Sequence, residues 1–497
     1  PMVNAAAWLP LMLALAERLL VREPGLKHSA RYTALLALVV AIQFLAGHAQ
    51  TWFYSLISLG LYGLWLIGSA LLHRLPTGTA GIVPAQESSR RGTPLQYAVR
   101  RLLLLSTALL WGIALAAAQF LPTLELSRLA QRSADPGWER FALQYSMWPW
   151  RLITLLLPDF FGNPARGTYW GYATYWEDAG YIGVLPFALA VLALLAWLRR
   201  RWKRTLQEPH APKAVPFFSL LALWSVLMAL GSNTPVYLLF FRYVPGFSQF
   251  QAPARWLGVY TAAMAVLAGL GLDALHPSRA LTFVARLALV GTLQTALLAW
   301  LATTAQATDM LASAGLPEIQ PTFARALLRF SFLSSASLGL LLWQQRRFRT
   351  AARESGRDRC AAKNAPHAQK WQWAWSMAVL LLVGGDLLYA GHGLNPAVDA
   401  ALYARQTEAG AALVADGVQG RLYYVPQARE KVLFGRYLDF QDYRSNLRGA
   451  ERLGFWQGLR EALIPDLPTV ERLPSVNTFE PLVEARYRRL LDALEQA

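Results

Sequence analysis

The stretch AGHAQTWFYS (46–55) sets His48 and Gln50 two residues apart, where one apolar run ends and the next begins. An imidazole titrates near neutral pH, so His48 can act as acid or base. With Gln50 it offers hydrogen bonds to a phosphate or a sugar hydroxyl. The same pair serves equally well as a cap on a helix–helix turn. In AQFLPTLELSR (118–128), Gln119 and Glu125 sit at the outer end of a later run. Pro122 is expected to end that helix, and Glu125 and Arg128 are spaced for a local ion pair.

Residues 158–183, PDFFGNPARGTYWGYATYWEDAGYIG, combine rings, turn formers and charges between two apolar runs. Pro158 and Pro164 interrupt the backbone, and Gly162–Asn163 supplies a turn. Tyr169, Trp170, Tyr172, Tyr175 and Trp176 suit the headgroup depth of a membrane. An aromatic belt alone does not account for Asp159, Glu177 and Asp178, since carboxylates near a bilayer need a partner, water or a metal. Rings that stack on a sugar, with acids that take its hydroxyls, describe the same composition. The three acids could also help to hold a divalent metal, although no ligand spacing marks one. In FRYVPGFSQFQAPARW (241–256), Arg242 and Arg255 offer forked contacts to phosphate. The ordinary alternative is snorkelling to headgroups. Gln249 and Gln251 are weaker candidates beside them.

The elements that must position these groups are membrane helices. Of 497 residues, 55% are hydrophobic and only 15% charged. Apolar runs near the length needed to cross a bilayer fall at about 3–20, 31–47, 52–72, 102–121, 180–198, 215–231, 256–273, 281–303, 326–344 and 372–390. A lipid-exposed backbone must satisfy its own hydrogen bonds, so these runs are expected to be helices. The first is interrupted by Asn4, Pro10 and Glu17 and could lie in the interface instead. The net charge of +17 does not point to nucleic acid. The basic residues crowd into alternate loops (18–31, 73–101, 199–204, 276–279 and 346–359), which the positive-inside rule makes cytoplasmic. The loops between, including 122–180, then face outward, as does 391–497. Within the long outward loop, WPWRLITLLLP (148–158) is expected to form a short interfacial or re-entrant helix.

The tail reads as a small soluble segment, with strands at 422–427 and 431–434 and helices at 403–415 and 479–495. The fold expected is therefore an all-α polytopic membrane protein of about ten spans, carrying a small α+β extracytoplasmic segment. That orientation leaves Pro1 outside with no signal to place it, so further sequence is expected upstream; the tail, which ends on a helix, reads as cut short as well. The lone Cys360 supports neither an internal disulfide nor a thiolate metal site. Asp273 lies at an inner helix end. Asp386 lies about a turn inside an outer end, where an arginine from a neighbouring helix could pair with it. Span centres are otherwise clean of charge. P-loop, Rossmann, HExxH and GxSxG signatures are missing, which argues against ATP-driven transport and soluble-cofactor chemistry.

The order of the motifs resembles the bacterial YfhO-type membrane protein family. The matching pieces are AAAWLPLMLALAERLL (5–20), LAGHAQTWFY (45–54), QFLPTLELSR (119–128), LLPDFFGNP (156–164), YWEDAGYIGVLPFALA (175–190), NTPVYLLFFRYVPGFSQFQAPARWL (233–257), GLGLDAL (269–275) and NTFEPLVEARYRRLL (477–491). The family is in turn similar to GT-C glycosyltransferases. The resemblance implies transfer of a sugar from a polyprenyl-phosphate donor to a cell-envelope glycopolymer, such as a teichoic acid, on the outer face of the bacterial cytoplasmic membrane. It also implies a key acid in a first outward loop that would precede the present chain. In that scheme Arg242 and Arg255 meet the donor phosphate, and His48, Gln50, Gln119 and Glu125 line the pocket. Asp159, Glu177 and Asp178 orient sugar or acceptor, aromatics such as Tyr175 stack on it, and Gln249 is a weaker substrate-binding candidate. The partners expected are the lipid-linked sugar, the glycopolymer and membrane lipids. A lipid or glycolipid transporter and a non-catalytic scaffold are the rival readings.

Overall fold

The computed structural model describes residues 2–21, 25–74, 93–130, 137–171, 175–202, 214–275, 278–313, 319–354, 366–394, 399–417, 420–425, 450–464, 467–476 and 483–496. These residues are mostly helical. Eight helical stretches are long and apolar enough to cross a membrane: Met2–Val21, Leu26–Leu45, Ala49–Leu72, Pro94–Leu115, Pro253–Asp273, Arg279–Ala302, Ile319–Arg347 and Trp371–Gly391. Two of the expected spans fall short. Val184–Trp202 ends in Arg199, Arg200 and Arg201, and Ala214–Ala229 has 16 residues. At 1.5 Å per residue the latter reaches only about 24 Å, against a hydrocarbon core of about 30 Å.

The chain divides into two compact units. The first comprises Pro1–Arg128, Glu139–Pro149 and Pro186–Val284; the second comprises Leu129–Trp138, Trp150–Leu185 and Ala285–Ala497.

In the first unit, Pro10 withholds the N–H that the carbonyl of Ala6 would accept, and the helix breaks between Met2–Ala6 and Leu9–Val21. The buried Gln43 side chain donates to the Ala5 carbonyl beside this break at 2.8 Å, and to Ser55 Oγ at 2.8 Å. At the other end of Leu9–Val21, the buried Arg101 guanidinium donates to the Leu19 carbonyl at 2.6 Å and Tyr97 Oη donates to that of Leu20 at 3.2 Å. Carbonyls left over at a helix C-terminus favour such donors and a positive charge. The helix that supplies these two residues, Pro94–Leu115, starts with a capping box: Thr93 accepts from the Gln96 N–H, and the Gln96 side chain accepts from the Thr93 N–H. It packs closely on Leu26–Leu45, and a Cβ on Gly112 would stand 2.6 Å from Val40 Cγ1.

Pro122 does not end a helix. The break comes earlier, at Ala116, and a separate helix, Ala117–Leu129, runs through Pro122. With the chain already interrupted, Pro122 removes only one hydrogen bond, in the second turn of a short helix.

The apolar segment at 148–158 forms the expected short helix, a 3-10 helix over Pro149–Leu155. Leu157 is buried with Ala299 and Leu327, and Ile153, Leu156, Phe160, Phe323 and Phe330 pack around them. Ile153, Leu156 and Leu157 therefore pack on protein, while Trp148 and Trp150 are exposed. The tail contains the helices Ala401–Ala404, Glu408–Ala415, Ala450–Glu461 and Ala485–Gln496. Among the described residues there is no strand, and Leu422 makes only an isolated bridge to Ser475. The strand expected at 431–434 and the last two residues of 422–427 lie outside the described residues.

Candidate functional site

The loop that follows the 3-10 helix is built around Gly162 and Asn163. Gly162 has φ +79°, and a Cβ there would fall 1.8 Å from the Thr168 carbonyl oxygen; only glycine fits. Asn163 accepts from the Ala165 N–H at 2.9 Å and so caps the short turn Pro164–Arg166. Its amide donates to Asp159 Oδ1 at 2.9 Å. The loop closes on itself as the Trp170 N–H donates to the Phe161 carbonyl at 3.0 Å.

Asp159 is then the hub of an ionic network. Its Oδ2 accepts from Arg166 at 3.0 Å and from Arg329 at 3.1 Å, and its Oδ1 from Tyr175 at 3.4 Å. Arg329, on the helix Ile319–Glu354, also donates to Asp386 Oδ1 at 2.8 Å and to the Asp386 carbonyl at 3.0 Å. Asp386 accepts in addition from Tyr181 Oη at 2.7 Å and from the Val184 N–H at 3.2 Å. The arginine partner expected for Asp386 is thus Arg329. The Tyr389 ring carries both cations, with Arg166 at 4.4 Å and Arg329 at 4.6 Å from its centroid.

A second buried pair lies in the same unit. Arg151 Nε and Asp178 Oδ2 form a salt bridge with side chains 3% and 9% exposed. Arg151 also donates to Tyr169 Oη at 2.7 Å and lies over the rings of Phe161 and Tyr169. Burial pushes the Asp178 carboxyl up to about 6, against the pull of Arg151. Burial likewise raises Tyr169. These groups line a cavity of about 210 Å³, together with Thr154, Tyr175, Tyr181 and Leu387. The cavity is apolar and aromatic along most of its wall, with one acid, one guanidinium and a few hydroxyls converging on it. Such a composition suits a small polyol with one polar edge.

No family model, curated protein or solved structure matches the chain. The chemistry is therefore read from the residues in place. Among the described residues no group of three or more His, Cys, Asp and Glu could hold a metal ion. Asp159 and Asp178 are held by guanidinium groups, and Glu177 is half-buried next to Asp178.

The candidates on the first unit gather only in part. Gln50 is 5% exposed; it accepts from Arg255 at 2.8 Å and donates to Tyr54 Oη at 2.9 Å and to the Gln251 carbonyl. Tyr54 stacks on the buried Trp256 at 4.1 Å. His48 Nδ1 accepts from the Thr51 N–H at 3.2 Å and contacts Thr51 Oγ1 at 2.7 Å, the capping arrangement at the start of Ala49–Arg74. Arg242 is exposed and bonded to Glu139 at 2.8 Å. Gln119, Glu125 and Gln249 are exposed. Gln50 and Arg255 therefore meet, while Arg242 has an acid of its own.

Arg151 and Arg329 are not among the site candidates read from the sequence, where Arg329 counts only as a charge near a span end. The signal was a lone arginine inside an otherwise apolar segment: WPWRLITL in one case, ARALLRFSFL in the other.

Proposed function

We propose that the chain is a membrane-embedded sugar transferase, which passes a sugar from a polyprenyl-phosphate donor to a cell-envelope acceptor at the outer face. The support is the aromatic cavity of the second unit, where the Arg151–Asp178 pair meets Tyr169, Tyr175 and Phe161. Rings give a sugar its stacking faces, and the pair gives its hydroxyls a donor and an acceptor. In the first unit Arg255, held by Gln50, is the group offered to the donor phosphate. The GT-C-like scheme and the choice of donor come from the motif resemblance.

The test uses the complete native protein in proteoliposomes with a labelled polyprenyl-phosphate sugar and an envelope glycopolymer. Transfer is expected, with a loss of about tenfold or more for Tyr169→Phe, which removes one hydrogen bond to a charged group and keeps the ring. Binding without transfer by the wild type, or full turnover by Tyr169→Phe, would remove the support.

One observation favours the transporter reading. Arg329 and Asp386 form a buried ion pair within two helices apolar enough to span a membrane, and intramembrane ionisable groups often mark a transport path. Movement of labelled lipid across the bilayer without sugar transfer would decide for it.

A further inference from the structure

The helix Ile319–Glu354 presents Thr322, Arg325, Ala326 and Arg329 at the spacing of one face. They line a small space of about 60 Å³, closed on its other sides by Asp159, Asn163, Arg166, Thr168 and Tyr389. It is distinct from the aromatic cavity, with which it shares no lining residue. Three guanidinium groups converge here, and two of them, Arg166 and Arg329, share a single carboxylate oxygen, Asp159 Oδ2. Arg329 also donates to the carbonyl and to Oδ1 of Asp386. Arg325 is exposed, donates only to the Pro321 carbonyl one turn back at 2.9 Å, and has no carboxylate partner among the described residues. Three cations against two carboxylates leave the cluster one charge positive.

A second observation is independent of the charges. Thr322 is 6% exposed and its Oγ1 is without a hydrogen-bond partner. A buried hydroxyl with no partner costs free energy, so an orphan in a native site asks for a missing water or ligand atom. Ala326, one turn on, is small and leaves the space open. We propose that Thr322, Arg325, Arg329 and Arg166 form a binding site for a phosphate-type oxyanion, with Arg325 and the Thr322 hydroxyl as its unsatisfied donors. Guanidinium forks match the oxygens of a tetrahedral anion. The unmatched charge requires an anion, and the small volume excludes a sugar ring. Tyr389 lies beside two of the cations, with Arg166 and Arg329 at 4.4 and 4.6 Å from its ring centroid. The phosphate can come from a lipid headgroup or from solution, since both present the same oxygens.

This assignment does not depend on sugar transfer, because the readout is binding alone. The full chain is purified in a neutral detergent, and its thermal midpoint is titrated with inorganic phosphate. In parallel it is placed in phosphatidylcholine nanodiscs with and without phosphatidic acid, and bound lipid is counted by native mass spectrometry. Saturable binding of at least one probe is expected: inorganic phosphate for a soluble source, phosphatidic acid alone for a lipid source. Arg325→Gln should weaken that binding about tenfold. Thr322→Val should weaken it several-fold while leaving the ligand-free midpoint unchanged or higher, since the orphan hydroxyl is gone. Arg286→Gln, an exposed arginine on Arg279–Ala302, should bind as the wild type does. Saturable binding of neither probe overturns the proposal. So does wild-type affinity in both Arg325→Gln and Thr322→Val.

Discussion

Asp178 shows how much a single buried carboxylate constrains the site. Its carboxyl is raised from 3.8 to about 6 by burial, with Arg151 acting in the opposite sense. The native state therefore holds the proton more tightly than the unfolded chain does. Between about pH 4 and pH 6 the native state carries more protons, so stability falls as pH rises through that window and is flat above it. The thermal midpoint of the detergent-purified protein should show this descending slope, and Asp178→Asn should abolish it. The same variant leaves Arg151 buried without its acid, at a cost of about 3–5 kcal/mol at neutral pH, whereas the paired change Arg151→Met with Asp178→Leu should cost much less. A midpoint for the single variant within a degree of the wild type would mean that the pair contributes nothing. The need for partners was legible in the sequence, since Asp159, Glu177 and Asp178 stood out as acids that a membrane surface does not tolerate alone. Which partners they take was not. Arg151 and Arg329 lie within apolar segments, and Arg329 is 170 residues from Asp159, a distance that no local spacing rule covers.

At the scale of elements, the turn at Gly162 and the cap at Asn163 fix where Asp159 and Arg166 point. Gly162→Ala must move the Thr168 carbonyl or abandon the positive φ, and a left-handed residue alone costs about 1–2 kcal/mol. The loop 156–171 should become sensitive to limited proteolysis while the helices keep their circular dichroism. A protease-resistant Gly162→Ala protein would show that the loop can be redrawn without loss. The turn formers here were readable from sequence, because proline, glycine and asparagine have local reasons to be where they are. Helix ends were less so. Thr93, Pro94 and Gln96 spell a capping box that begins about nine residues before the apolar run taken as the span's start, and a window that weighs only hydropathy passes over it. Thr93→Ala should lower the thermal midpoint by the equivalent of about 1 kcal/mol. Pro122 misled in the opposite direction: the helix had already broken at Ala116, and a proline in a second short helix marks no boundary.

For the whole molecule, the apolar runs carried most of the information, because a chain in lipid must close its own backbone hydrogen bonds and needs a minimum helix length to do so. Ala214–Ala229 escaped that logic. Leu230 is followed by Gly231 at φ +51°, tucked against Ser146, and the described helix ends there after 16 residues. The orientation of the spans rests on loop charge, and it makes a direct prediction. Cys360 is the single cysteine of the chain, and it lies in a loop assigned to the cytoplasm. In intact cells it should resist a membrane-impermeant maleimide and react once the membrane is opened. With Cys360→Ser as background, Ala412→Cys, on the exposed face of Glu408–Ala415, should be labelled from outside without permeabilisation. The reverse pattern would place the tail inside. The aromatic cavity would then face the cytoplasm, a lipid-linked donor at the outer leaflet could not reach it, and the transfer reading would have to give way to one in which the basic loops face outward against the positive-inside rule.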